Sequence, residues 1–439
     1  MIRRCERKII SGTIDAPSSK SSMQRAVACA MLSRGRSVLR SAELCADSES
    51  ALRLAQALGA SARIEGSSVS IDGSPLFGKN AAAFSARGEP QSERGSLLSA
   101  ERLELDCGES GLCMRMFSPI AALLASETRL TGRGSLALRP MGMVEGSLRA
   151  LGAECRSVDG HSPLLIAGPL EGGCAEIDAS ESSQLLTGLL IALPLAPRDS
   201  ELKVARAVSK GYLDLTIDTC EAFGVEIQRN EDFSKFSIRG GQRYKPADFA
   251  VEGDWSGAAF LIVAAAIAAG ESKLAIRGLR MDSSQPDRLV VEAARAAGAS
   301  LAMEEGVLFV GRDRLEAFDF DATDCPDLFP PLAALASACA GESVIRGVHR
   351  LRGKESDRAA SLKATFDILG APVRLEGDSM IVEGGSMRGG EVRAFGDHRI
   401  AMSAAVAALG ATDGVTIHGS ECVSKSWPGF FEDLGSISG

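Results

Sequence analysis

Leu185-Leu186-Thr187-Gly188-Leu189-Leu190-Ile191-Ala192-Leu193, followed by Glu201-Leu202-Lys203-Val204 and then Phe223-Gly224-Val225, is the stretch from which the fold is read. The apolar run predicts a buried helix, the β-branched segment after the polar break predicts a short strand, and the glycine predicts the C-cap of a second helix leading into a new strand. The same order recurs along the chain. Ala26–Leu32 precedes Ser37-Val38-Leu39, Ile120–Leu124 precedes Thr128-Arg129-Leu130, and Ala258–Ala269 precedes Lys273-Leu274-Ala275-Ile276. Leu332–Ala340 precedes Ser343-Val344-Ile345, and Ala401–Leu409 precedes Val415-Thr416-Ile417. Strand centres fall about 70–73 residues apart, after a first gap of roughly 90. The glycine marker keeps the same step at Leu58-Gly59-Ala60, Leu151-Gly152-Ala153, Ala297-Gly298-Ala299 and Leu369-Gly370-Ala371. Generic α/β alternation does not hold so even a step. Six units of about 70 residues predict two domains of three units each. The extra length of the first gap falls on Gly73–Arg102, a segment rich in Ser, Gly, Arg and Ala that reads as an exposed loop.

Composition narrows the function. A chain of 439 residues with 45% hydrophobic but only 5% aromatic content fits an α/β protein with a core of Ala, Leu, Val and Ile. A net charge of −9 argues against a general nucleic-acid binder, so any anion site must be a local cluster of cations. Eleven cysteines without a Cys-x-x-Cys pair suggest reduced thiols and a cytoplasmic protein. The four histidines have no metal-ligand spacing, so no metal is expected. Arg3, Arg4, Arg7 and Lys8 lead into no long apolar stretch, and Gly257–Gly270 is shorter than the roughly 18–20 residues of a membrane span. No membrane association is expected.

Against this background, polar clusters stand at predicted helix starts. Pro17-Ser18-Ser19-Lys20-Ser21-Ser22-Met23-Gln24-Arg25 puts a lysine and hydroxyls at a helix N-terminus, with an arginine one turn in. Free backbone N–H groups, a partial positive charge and two cations suit phosphate or carboxylate. A capped helix with a solvated lysine would carry the same residues. Ser180–Gln184, Val208–Tyr212, Cys325-Pro326-Asp327, Arg352–Arg358 and Phe395–Arg399 repeat the theme, and each also reads as a cap, a turn or a salt-bridged helix start. If such starts from both domains face one cleft, their dipoles add to an anion trap for a multiply charged substrate pair.

With these clusters in hand, the chain resembles the 5-enolpyruvylshikimate-3-phosphate synthase family of enolpyruvyl transferases over essentially its whole length. The resemblance rests on Pro17–Arg25, Gly108-Glu109-Ser110-Gly111-Leu112-Cys113-Met114-Arg115, Arg139-Pro140, Ser182-Ser183-Gln184, Ser209-Lys210-x-Tyr212, Pro326-Asp327, Lys354-Glu355-Ser356-Asp357-Arg358, Asp397-His398-Arg399 and Lys425, in that order. It implies an α/β fold of two similar domains, each with three βαβαββ units about a pseudo-threefold axis, an inside-out α/β barrel. One domain would be discontinuous, 1–19 plus 252–439, with 20–251 inserted and the active site in the cleft between them. The implied reaction adds the 5-hydroxyl of shikimate 3-phosphate to C2 of phosphoenolpyruvate and expels phosphate, without metal or organic cofactor.

By the same resemblance, Ser21, Arg25, Ser182, Ser183, Gln184, Ser209, Tyr212, Asp327 and Lys354 hold shikimate 3-phosphate. Lys20, Gly111, Arg139, Gln184, Arg358, Arg399 and Lys425 hold phosphoenolpyruvate and its departing phosphate. Asp327 takes the hydroxyl proton, Glu355 gives a proton to the methylene carbon and later removes one, and Lys20 and His398 assist. The family is usually monomeric. Ser18 replaces the usual Gly, Glu109 an Asn, Leu112 a Thr and Met116 a Pro, and Arg350 stands near a usual Asn. An acidic Glu109 close to an anionic substrate would be repulsive unless it pairs with a nearby arginine such as Arg139, so Glu109 and Arg350 are left out of the ligand set. The related UDP-N-acetylglucosamine enolpyruvyl transferases carry a catalytic Cys before an Arg-Pro pair, and Thr131–Pro140 has none. RNA 3′-phosphate cyclases share the unit fold but are disfavoured by the acidic charge. A non-catalytic anion-binding relative is the remaining alternative, and retention of Lys20, Asp327, Glu355 and Lys425 argues against it.

Overall fold

The computed structural model describes residues 1–79, 102–124 and 126–438. Its strands form six small sheets, five of four strands and one of three. The sheet around Leu103–Asp106 shows the plan. That strand pairs in parallel with Thr128–Thr131, with Leu105 opposite Leu130, and the helix Gly111–Ala121 crosses between them. His161–Ala167 then pairs antiparallel with Thr128–Thr131, and Glu154–Val158 closes the edge. Cys174–Asp178 with Ser200–Ala205, and Asp319–Asp321 with Gly341–Arg346, repeat the parallel pair and its antiparallel partners. The six-unit period of the sequence is the period of these sheets.

Contacts divide the chain into two compact units, Met1–Ser19 with Glu252–Gly439, and Lys20–Val251. Three sheets lie in each. In two sheets the strand that opens the parallel pair is supplied from far along the chain: Ile10–Asp15 beside Ala269–Arg277, and Asp248–Ala250 beside Arg36–Arg40. In the three-stranded sheet Ile2–Cys5 pairs with Val415–His418. Each unit has its own apolar core. Helix Trp255–Ala268 is buried along its whole length, as a helix apolar on every face should be, and it packs on Phe329–Ala338 and His398–Ala408. Among the described residues no helix is long and apolar enough to cross a membrane.

The parallel pairs decide where chemistry can sit. A βαβ crossover leaves each strand at its C-terminal end and enters the next helix at its N-terminus, so both ends fall on one edge of the sheet. Lys20, Gly111, Gln184, Asp327 and His398 all follow the first strand of a pair, and Arg139, Ser209, Lys354 and Lys425 follow the second. The glycines that close the second helices have positive φ, and Gly370 at 87° donates its N–H to Asp367 and Phe366 carbonyls at the end of Arg358–Leu369. The expected exposed loop Gly73–Arg102 begins differently. Ser74–Lys79 is a short helix with Leu76 buried in the core, because Leu76 and Phe77 supply an apolar edge that the segment's composition hides. Residues 80–101 of that segment lie outside the described residues.

Candidate active site

In the Lys20–Val251 unit the predicted residues fall into two groups. Arg25, in the second turn of Lys20–Met31, is 2% exposed. Its Nε donates to Thr216 Oγ1 at 2.8 Å, Nη1 to the Ser21 carbonyl at 2.8 Å, and Nη2 to Thr187 Oγ1 and the Tyr212 carbonyl, each at 3.2 Å. The Tyr212 ring centroid lies 5.7 Å from its guanidinium carbon. Every one of these partners is neutral, and burial pulls the guanidinium down to about 10. Ser209 opens Lys210–Ala222 in the left-handed region at φ 53°, a strained position for a serine, and its carbonyl accepts the Tyr212 N–H. Ser183 occupies the N-cap position of Gln184–Ala192 without its hydroxyl capping the helix, whereas the Ser182 hydroxyl accepts the Gln184 N–H at 3.3 Å.

The second group surrounds Gly111. A side-chain carbon there would sit 2.6 Å from Arg139 Nη1 and 3.4 Å from Arg115 Nη1, so only glycine lets the arginines close over the start of Gly111–Ala121. Arg115 Nη1 donates to Gln184 Oε1 at 2.8 Å, which turns the amide nitrogen of Gln184 away from the arginine. Ser110 caps the helix and accepts Gln24 Nε2 at 2.8 Å. Lys20 Nζ lies 3.1 Å from Asp47 Oδ2 in the first turn of Ala46–Leu58. The Glu109 carboxylate lies against Gly134, where a side-chain carbon would be 2.5 Å from Oε2.

In the other unit the charged residues form one knot. Arg358 opens Arg358–Leu369 with its side chain wholly buried, and three carboxylates share its guanidinium. Nε donates to Asp397 Oδ2 at 3.0 Å, Nη1 to Asp327 Oδ1 at 2.8 Å, and Nη2 to Glu355 Oε2 at 2.5 Å. Arg399 Nη2 reaches Asp327 Oδ2 at 3.1 Å and Lys354 Nζ lies 3.5 Å from Oδ1. Burial works to raise the Asp327 carboxyl, but Arg399, Lys354 and Arg358 outweigh it and hold it well below the usual carboxylate range. Burial would lower Arg358, and its carboxylates, Asp397 foremost, hold it above its ordinary value. Asp397 also caps His398–Ala408 by accepting the Arg399 N–H at 3.0 Å. His398 is 1% exposed, with Nδ1 3.9 Å from Asp397 Oδ1. Lys425 Nζ donates to the Gly396 carbonyl at 2.8 Å.

Folding brings further residues to these clusters, among them Arg350, which the sequence leaves out of the ligand set. Arg350 is 5% exposed, donates to the Thr323 carbonyl at 2.7 Å, and is lowered by burial despite Asp324 and Asp327. Asp287 is fully buried and takes a hydrogen bond from Ser256. Burial, with Asp327 adding, pushes its carboxyl up to about 6. Asp47, Thr187 and Thr216 belong to the same class: each meets its arginine or lysine only through folding. The quoted motifs gave Arg115 and Asp397 no role, although their positions at helix starts were visible. Among the described residues no group of three or more His, Cys, Asp or Glu side chains could hold a metal ion.

Residues 6–434 match the model of the EPSP synthase (3-phosphoshikimate 1-carboxyvinyltransferase) family. A 3-phosphoshikimate 1-carboxyvinyltransferase of Aeropyrum pernix is 37% identical over 429 residues, covering 98% of this chain and 93% of that protein. One of Methanosarcina acetivorans is 36% identical over 435 residues, covering 98% and 96%. The structure of EPSP synthase from Acinetobacter baumannii superposes with a TM-score of 0.80 at 26% identity, covering 100% of this chain and 98% of that one.

Proposed function

The chain belongs to the EPSP synthase (3-phosphoshikimate 1-carboxyvinyltransferase) family, and on that premise we infer how its residues carry the reaction. It transfers the enolpyruvyl group of phosphoenolpyruvate to shikimate 3-phosphate in the shikimate pathway, which leads to the aromatic amino acids. Both substrates are anions, so bringing them together is repulsive unless cations are concentrated in a dry site. We assign Ser21, Arg25, Ser182, Ser183, Gln184, Ser209, Tyr212, Asp327 and Lys354 to shikimate 3-phosphate. Lys20, Gly111, Arg139, Gln184, Arg358, Arg399 and Lys425 are assigned to phosphoenolpyruvate. In this reading one chain supplies the complete set, as a monomer requires. Eleven free thiols fit a reducing cytoplasm.

The observation that carries the assignment is the single arginine shared by Asp327 and Glu355. Asp327 takes the proton of the 5-hydroxyl as its oxygen bonds to C2 of phosphoenolpyruvate, and Glu355 gives a proton to the methylene carbon, making a methyl. The tetrahedral adduct then loses a methyl proton to Glu355, the carbon–carbon double bond returns, and the C2–O bond to phosphate breaks with Lys20 and His398 assisting. In the ligand-free protein Asp327 is a poor base because three cations hold its charge. Phosphoenolpyruvate competes for Arg358 and Arg399, so its binding raises the basicity of Asp327 and loosens the hold of Arg358 on the Glu355 carboxylate.

The test is phosphate release from phosphoenolpyruvate, first with shikimate 3-phosphate and then with UDP-N-acetylglucosamine. Release with the first alone is expected. A folded protein that releases none with shikimate 3-phosphate would sink the reading.

A further inference from the structure

Arg25 is held in an unusual way for a buried cation. Buried guanidinium groups ordinarily pair with carboxylates, as Arg358 does. Among the described residues none pairs with Arg25. Its Nε hydrogen, both Nη2 hydrogens and one Nη1 hydrogen go to two threonine hydroxyls and two backbone carbonyls, leaving one Nη1 hydrogen of the five.

The hydroxyls form a circuit in which every hydrogen has a destination. Thr216 Oγ1 donates to the Tyr212 carbonyl one turn back at 2.7 Å. Its lone pairs are then left to accept Arg25 Nε and the Thr187 hydroxyl, which lies 3.2 Å away. With its own hydrogen given to Thr216, Thr187 accepts from Arg25 Nη2. Thr187, Thr216 and Arg25 stand on three different helices, Gln184–Ala192, Lys210–Ala222 and Lys20–Met31. Behind them the Cys29 thiol is kept protonated by burial and adds no charge.

We propose that Thr187 and Thr216 are positioning residues for shikimate 3-phosphate, fixing Arg25 through neutral acceptors so that its full charge is kept for the anionic substrate. A carboxylate at either position would hold the arginine equally still and would cancel the charge that the substrate needs. The circuit also ties Arg25 to Tyr212, since the Tyr212 carbonyl accepts from both Thr216 and Arg25. The inference rests on the proposed assignment of Arg25 to shikimate 3-phosphate.

Steady-state kinetics of the full chain, with each substrate varied in turn, and denaturant unfolding provide the test. Thr216→Val should raise KM for shikimate 3-phosphate about tenfold or more, the worth of one hydrogen bond to a charged group. KM for phosphoenolpyruvate should move by less than about twofold. Thr216→Ser should restore the wild-type value. Thr187→Asp should raise KM for shikimate 3-phosphate at least as much while leaving the unfolding midpoint unchanged or higher, because the new carboxylate pairs with Arg25. If Thr216→Val fails to fold, Thr187→Asp and Thr216→Ser still decide. A Thr187→Asp or Thr216→Val protein with an unaltered KM for shikimate 3-phosphate overturns the inference and leaves the function standing. Absence of turnover in the wild-type chain overturns both.

Discussion

Arg25 and Arg358 are both arginines with almost no exposed surface, and they are compensated in opposite ways. Arg358 is surrounded by Asp327, Glu355 and Asp397 and stays above its ordinary pKa. Among the described residues Arg25 donates its hydrogen bonds to hydroxyls and carbonyls, and burial brings it down to about 10. The difference separates two uses of a buried cation. One spends its charge inside the protein, fixing the spacing of two carboxylates that must move protons. The other keeps its charge in reserve, at some cost to stability, for a ligand that brings the anion.

The largest effect expected from breaking this contrast is at Arg358. Arg358→Met takes the shared cation from three carboxylates, leaving Asp327 to Arg399 and Lys354, and should lose about 3–5 kcal/mol of stability in denaturant unfolding, together with turnover. A loss below about 1 kcal/mol would mean that the knot is not what holds the site. Next come the carboxylates themselves. Asp327→Ala and Glu355→Gln should lower kcat by about 10²–10⁴ while the dissociation constant for shikimate 3-phosphate, read by calorimetry, changes far less. Equal losses in kcat and binding would show the proton roles to be misassigned.

Arg25→Met sharpens the comparison from the other side. It removes hydrogen bonds to neutral partners and breaks no ion pair, so stability should fall less than in Arg358→Met, while KM for shikimate 3-phosphate rises sharply. The smallest effect is in pH. The depressed folded-state value of Asp327 means that its stabilisation is complete above its unfolded value of about 3.9 and is lost as pH falls through the folded value. Unfolding midpoints measured down the acid range should therefore fall less steeply for Asp327→Asn than for wild type. Parallel curves would show that the three cations do not act on Asp327 as described.

Much of this was legible in the sequence, for a physical reason. Residues such as Lys20, Gly111, Gln184 and His398 sit where a strand hands over to a helix, and those turns interrupt the apolar period with hydroxyls and charges that a linear reading can see. The six-sheet plan was legible because the same handover recurs at an even step. Thr187 was not legible as a partner of Arg25. It lies inside the apolar run Leu185–Leu193 and reads there as one more core position, and its bond to Arg25 spans 162 residues. Asp47, Asp287 and Thr216 were missed in the same way, since their meaning comes from whom they face after folding. Ser74–Lys79 reads as loop because its composition resembles the segment it begins, whereas its buried leucine makes it a helix.

The most direct test of the contrast is the denaturant midpoint of wild type, Arg25→Met and Arg358→Met, each with and without saturating shikimate 3-phosphate. The account predicts that Arg358→Met unfolds far earlier than wild type yet is still stabilised by the ligand, whereas Arg25→Met unfolds near wild type and has lost the ligand's stabilisation. An Arg25→Met protein as unstable as Arg358→Met, with its ligand shift intact, would contradict it.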